Sequence, residues 1–184
     1  MDSATKSEVF DLNTGKSCQD LAPFPIEING AIGETVKGFP LICGGRDGSN
    51  EQQGCYLLKN NAWSKIGDMR EARRFASMLL LANNTLWILG GTGSPSTSEL
   101  LDLDSNGAIT QQTQGPDLPE PSSGHCAVRY EHSKAILMGG WFKNKTYIYN
   151  LEAGSWTEGP QLKDSGNRYY AACGQIIDKG TSKQ

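Results

Sequence analysis

Three glycine pairs stand out among the residues whose type and spacing could do chemistry. They are Gly44-Gly45 in PLICGGRDG, Gly90-Gly91 in LWILGGTGS and Gly139-Gly140 in AILMGGWFK. A glycine-rich loop after an apolar strand can cradle a phosphate on its backbone N–H groups. None of these pairs leads into the Gly-Lys-Ser/Thr ending that such a loop needs, and neither does the glycine-rich stretch INGAIGETVKG. Other catalytic sets are missing: the chain has no G-x-S-x-G and no H-E-x-x-H. His125 and His132 are the two histidines, and a satisfied polar residue outweighs a metal ligand or base as the reading of His125. The five cysteines, Cys18, Cys43, Cys55, Cys126 and Cys173, contain no C-x-x-C, which argues against zinc. Their odd number leaves at least one free or paired with another chain. No cofactor is expected.

What remains is recognition chemistry. Arg46 follows the first glycine pair; Arg73, Arg74 and Arg168 each lead into a strand-like run. Trp141 and Phe142 follow the third pair, and Ser123 and His125 precede its strand. Guanidinium groups offer a fork of donors that matches a carboxylate. An exposed aromatic pair can serve as an anchor. The competing readings are arginines bonded to nearby carbonyls, and aromatics folded into the small core of their own loop.

The elements that would carry these residues follow from composition and period. Glycine makes up 22 of 184 residues, about 12% against roughly 7% on average, which points to many short strands and turns. The net charge of −3 makes no electrostatic case for nucleic acid or an anionic membrane. No apolar run approaches the length of a membrane span. The glycine pairs recur 46 and 49 residues apart. A large apolar residue in a β-rich run keeps step at Phe10, Tyr56, Leu101 and Tyr149. Trp63 lies seven residues after Tyr56, and Trp156 seven after Tyr149. Met69, Leu118 and Leu162 each close a repeat. A period near 50 is the signature of a repeat architecture.

Taken together, the order strand, glycine pair, loop, Tyr, Trp, turn and Arg resembles the kelch repeat. The structural marks of that resemblance are Gly44, Gly45, Gly90, Gly91, Gly139, Gly140, Tyr56, Trp63, Tyr149 and Trp156. Two departures are plain: the first repeat lacks an arginine before its opening strand, and the second lacks both Tyr and Trp. The resemblance implies an all-β chain forming part of a β-propeller, with about three full four-stranded blades and a composite or incomplete one. The whole chain, 1–184, reads as one domain with repeats at 25–69, 70–120 and 121–163. Part-repeats at 6–24 (two strands) and 164–184 (one strand) flank them. In repeat two the strands a to d fall near Arg74–Ala82, Leu86–Gly90, Ser98–Leu103 and Ile109–Thr113. Each glycine pair would end strand b where positive φ or crowding excludes a side chain. Trp63 and Trp156 would pack between blades.

In this arrangement the d–a and b–c loops share one end of every blade and gather Arg46, Arg73, Arg74, Arg168, Trp141, Phe142, Ser123 and His125. Kelch adaptors of ubiquitin ligases use arginines at the start of strand a to recognise acidic segments. The resemblance therefore implies a non-catalytic module binding an acidic protein or peptide, which self-associates or needs further blades. The alternative is a channel-centred kelch enzyme, oxidase- or lyase-like, with ligands in blades outside this segment. The tyrosine, histidine and Tyr–Cys copper set of galactose oxidase is not reproduced here. Cys43 and Cys55 flank a b–c loop close enough to bridge, a pairing that resembles secreted kelch proteins; two buried thiols remain the other reading. Asn83 in NNT and Asn144 in NKT match the N-glycosylation pattern. The opening MDSATKSEVF has no apolar leader, which favours the cytoplasm unless a leader precedes this segment.

Overall fold

The computed structural model describes residues 6–18, 21–131, 133–141 and 144–163. It is all-β. Three four-stranded antiparallel sheets follow one another along the chain, each with its strands side by side in chain order. The first holds β3 (Ile32–Val36), β4 (Phe39–Cys43), β5 (Gly54–Lys59) and β6 (Ala62–Asp68). The second holds β7 (Ser77–Leu80), β8 (Thr85–Leu89), β9 (Ser98–Leu103) and β10 (Ile109–Gln114). The third holds β11 (His125–Tyr130), β12 (Lys134–Gly139), β13 (Thr146–Asn150) and β14 (Ser155–Glu158). A short hairpin, β1 (Phe10–Asp11) and β2 (Lys16–Ser17), precedes them. The expected strand c of repeat two coincides with β9, and the other three differ from expectation only at their ends.

Local chemistry explains the turns. Lys37-Gly38 and Asn60-Asn61 each close a two-residue hairpin with both φ values positive, the geometry whose twist matches the flanking strands. The glycine-rich INGAIGETVKG is thereby accounted for as the approach to β3, β3 itself and its hairpin turn. Between β9 and β10 the Asp104 carboxylate accepts from the N–H groups of Asn106 (2.7 Å) and Ala108 (2.9 Å), with Gly107 at φ +93°. These bonds favour the ionised form and hold the Asp104 carboxyl below its usual range.

The chain divides into two compact parts at Ser123/Gly124. In the larger part β3 lies alongside β7, and the first two sheets share one core. Val36, Leu41 and Leu57 of the first sheet meet Met78, Leu86 and Leu101 of the second. Phe24 packs edge-on against Tyr56 and Trp63, with ring centroids 5.2 and 5.0 Å away. The Trp63 indole N–H donates to the Ala22 carbonyl, and Ala22 N–H to the Asn61 side chain. Trp63 thus fastens residues 22–24 onto the first sheet. In the smaller part Tyr149 stands directly opposite Trp156, with centroids 4.9 Å apart.

Both Tyr–Trp pairs are seven residues apart in sequence, yet their registers differ. Trp156 faces Tyr149, whereas Trp63 faces Leu58 and meets Tyr56 only diagonally. The β5–β6 turn has two residues and the β13–β14 turn has four, from Leu151 to Gly154. Turn length shifts the register by two, which keeps the same face.

Candidate functional site

The glycine pairs show how the loops are held. Gly44 has φ +66° and Gly45 φ +96°. A Cβ on Gly44 would strike the Arg73 carbonyl, and one on Gly45 would approach the Asn29 carbonyl to 3.1 Å. Gly45 N–H donates to the same Arg73 carbonyl at 2.8 Å. The second pair repeats the pattern one sheet later: Gly91 N–H donates to the Ser122 carbonyl at 2.9 Å, and a Cβ there would meet the Arg74 carbonyl at 2.7 Å. Each pair is pressed between the start of its own first strand and the segment that follows its sheet. The backbone geometry requires glycine on both counts.

Other repeat contacts fix the same end. Met69, Leu118 and Leu162 each donate a backbone N–H to the carbonyl of Gln53, Ser96 and Asn144, just before the third strand of the sheet. Hydroxyls at the start of that strand close two of the sheets: Ser98 Oγ donates to the Pro116 carbonyl and Thr146 Oγ1 to the Pro160 carbonyl, both at 2.6 Å.

The loop after β4, 44–53, carries Arg46. Its base is crossed by the Cys43–Cys55 disulfide, which joins directly opposed residues that are both wholly buried. Asp47 shapes the tip, accepting from Ser49 N–H, Asn50 N–H and the Gln52 amide. The two backbone donors hold the Asp47 carboxyl below its usual range. The Arg46 backbone bridges both Asn29 and Glu51. Its guanidinium reaches the Ser49 carbonyl at 3.3 Å, while its buried Nε makes no hydrogen bond.

Arg73 and Arg74, adjacent in sequence, differ completely in setting. Arg73 is 1% exposed. Its guanidinium donates to Glu99 Oε1 at 2.9 Å, to the carbonyls of Gly90, Ser94 and Thr97, and to the Thr97 hydroxyl. Glu99, itself 1% exposed, also accepts from Arg70 N–H at 2.7 Å. Glu71 completes the cluster: hydrogen bonds from Ser94 and Thr97 and the nearby Arg73 charge outweigh desolvation and hold its carboxyl below its usual range. Arg73 is therefore the internal clamp of the loop 90–97, and its donors point inward.

Arg74 lies on the other side of the chain. Its backbone pairs with Thr92, and its guanidinium lies over the Phe75 ring, 5.1 Å from the centroid. Its Nε stands 3.3 Å from Glu51 Oε1, an ion pair without hydrogen-bond geometry. The side chain is 22% exposed. Phe75 holds a left-handed φ of +55°, costly for an aromatic residue, with its ring on Gly30, where a Cβ would collide with it. Ser123 Oγ and Thr92 Oγ1 lie 3.0 Å apart beside this segment.

The structure thus brings Arg46, Arg74 and Ser123 onto loops of the larger part, with Glu51 linking the two arginines. Arg73 is on those loops but faces their interior. His125 is buried at the start of β11, and Trp141 is exposed after β12, both in the smaller part. Arg168 and Phe142 lie outside the described residues, as do His132 and Cys173. Sequence reasoning missed Glu99, Glu51 and Phe75. The available signal for Glu99 was an acidic residue inside the apolar run SELLDL, at a position that strand alternation turns inward.

Among the described residues no group of three or more His, Cys, Asp or Glu could hold a metal ion. Among them, too, no helix is long and apolar enough to cross a membrane. No protein-family model matches the chain, and no curated protein matches it.

Proposed function

We propose that this chain is a non-catalytic protein-interaction module of the kelch type, its four-stranded sheets acting as propeller blades. It binds an acidic protein or peptide through the loops that carry Arg46 and Arg74. The observation that carries this reading is the pair of partly exposed arginines, Arg46 and Arg74, on loops of the larger part, with Arg74 held only in a partly solvated ion pair with Glu51. A carboxylate from a partner would add charge-assisted bonds to these two cations. Ser123 and Thr92 add hydroxyls beside Arg74. The support is the loop geometry together with the repeat; in the first two sheets the same glycine contacts hold these loops to a rigid scaffold, which is where binding residues usually sit.

The test is selection from a peptide library followed by titration of the winners. Enriched peptides should carry Asp or Glu, and Arg46→Ala and Arg74→Ala should each weaken binding by about 1–3 kcal/mol. Raising the ionic strength should weaken it further. Winners free of acidic residues, or binding unchanged in both variants, would defeat the reading.

A further inference from the structure

We propose that Asn83 is an N-glycan acceptor and that the protein matures in an oxidising, glycosylating compartment. Two independent observations point there. The first is oxidation: Cys43 and Cys55 are joined across β4 and β5, and Cys126 is also disulfide-bonded. Disulfides persist in secreted and lumenal proteins and are rare in the reducing cytosol. This favours a secreted or lumenal setting over the cytoplasm.

The second observation is the place of the triplet Asn83-Asn84-Thr85. It forms the turn between β7 and β8, a single 3-10 turn over Ala82–Asn84 with Ala82 and Asn84 exposed. The fold itself accounts for two of its residues. Asn84 takes the left-handed backbone at φ +59°, which asparagine tolerates better than most residues. Thr85 Oγ1 donates to Asp102 Oδ1 at 2.6 Å across β8 and β9. An N-linked sugar is bulky and solvated, and an exposed hairpin tip can carry one without displacing core residues. The other triplet is Asn144-Lys145-Thr146. Thr146 is 3% exposed, and the Asn144 carbonyl accepts from Leu162 N–H at 2.8 Å.

The step is a group transfer from a lipid-pyrophosphate-linked oligosaccharide. The amide nitrogen of Asn83 bonds to the terminal sugar carbon, the bond from that carbon to the pyrophosphate oxygen breaks, and the amide proton leaves with the pyrophosphate. Because the folded Thr85 hydroxyl is engaged by Asp102, the transfer precedes closure of the β8–β9 pair.

The protein isolated from its own cells without reductant, its free thiols blocked, tests this by peptide mass. The Asn83 peptide should carry a glycan that peptide N-glycosidase removes, leaving Asp at position 83. Asn83→Gln and Thr85→Ala should each lose that glycan, and Thr85→Ser should retain it. Cys43 and Cys55 should resist alkylation until reduced. Unmodified Asn83 in the native protein would overturn the proposal. Alkylation of Cys43 and Cys55 without reduction would overturn it equally.

Discussion

The loop 44–53 of the first sheet and the loop 90–97 of the second occupy the same place between the second and third strands. Both begin with a glycine pair whose second N–H donates to the segment after the sheet. They are closed by different means. A disulfide ties the base of the first, while the buried Arg73–Glu99 pair gathers three carbonyls of the second. The difference decides what each arginine can do. Where a covalent bond closes the loop, Arg46 stays at its surface. Where no disulfide does so, an arginine is drawn inside, and its neighbour Arg74 is left facing out. The backbone constraint is common to both loops; the side-chain solution is local to each.

The comparison breaks most visibly at its shared part. Gly44→Ala places a Cβ against the Arg73 carbonyl at a positive φ. It should destabilise strongly, costing about 3 kcal/mol or more. A denaturant titration that finds Gly44→Ala near wild type would show that the glycine contacts are incidental. Next comes Glu99→Ala, which strands a buried guanidinium and the Arg70 N–H, with an expected loss of about 3–5 kcal/mol. Cys43→Ser with Cys55→Ser should follow at about 2–3 kcal/mol, since the bridge closes a short loop. That loss should be absent when wild type is measured fully reduced.

A subtler test uses pH. The folded state holds the Glu71 carboxyl below the usual glutamate value of 4.5, so it favours the ionised form. Its contribution is present in full above that value and is lost as pH falls through the lower folded value. Glu71→Gln should therefore lower stability at neutral pH and flatten its decline on that acid side, so that variant and wild type converge at low pH. An unaltered acid limb would remove Glu71 from the clamp. The smallest effect on stability is expected for Glu51→Gln, within about 1 kcal/mol, because the pair with Arg74 is partly solvated. That variant frees Arg74 and should tighten binding of an acidic peptide; weaker binding would mean that Glu51 positions Arg74 rather than competing for it.

Much of this architecture was legible in the residues, because local rules govern it. The glycine pairs encode positive φ and close backbone approach. Strand c at Ser98–Leu103 could be read from the repeat. The turns at Asn60-Asn61 and Ser105–Gly107 carry their own chemistry. What was not legible depends on distant partners. Arg73 and Arg74 look alike in sequence, and only Glu99, 26 residues on, separates them. The seven-residue Tyr–Trp spacing says nothing of register, because turn length enters afterwards. Arg168 and Phe142 stay as sequence expectations, since both lie outside the described residues.

The division between the two adjacent arginines is the claim most exposed to a single measurement, a paired thermal melt of Arg73→Ala and Arg74→Ala beside wild type. Arg73→Ala leaves Glu99 buried and uncompensated and should lower the melting temperature by about 6–20 °C; Arg74→Ala should stay within about 2–4 °C. Comparable large losses in both would make Arg74 structural and leave the proposed carboxylate-binding face without its principal group.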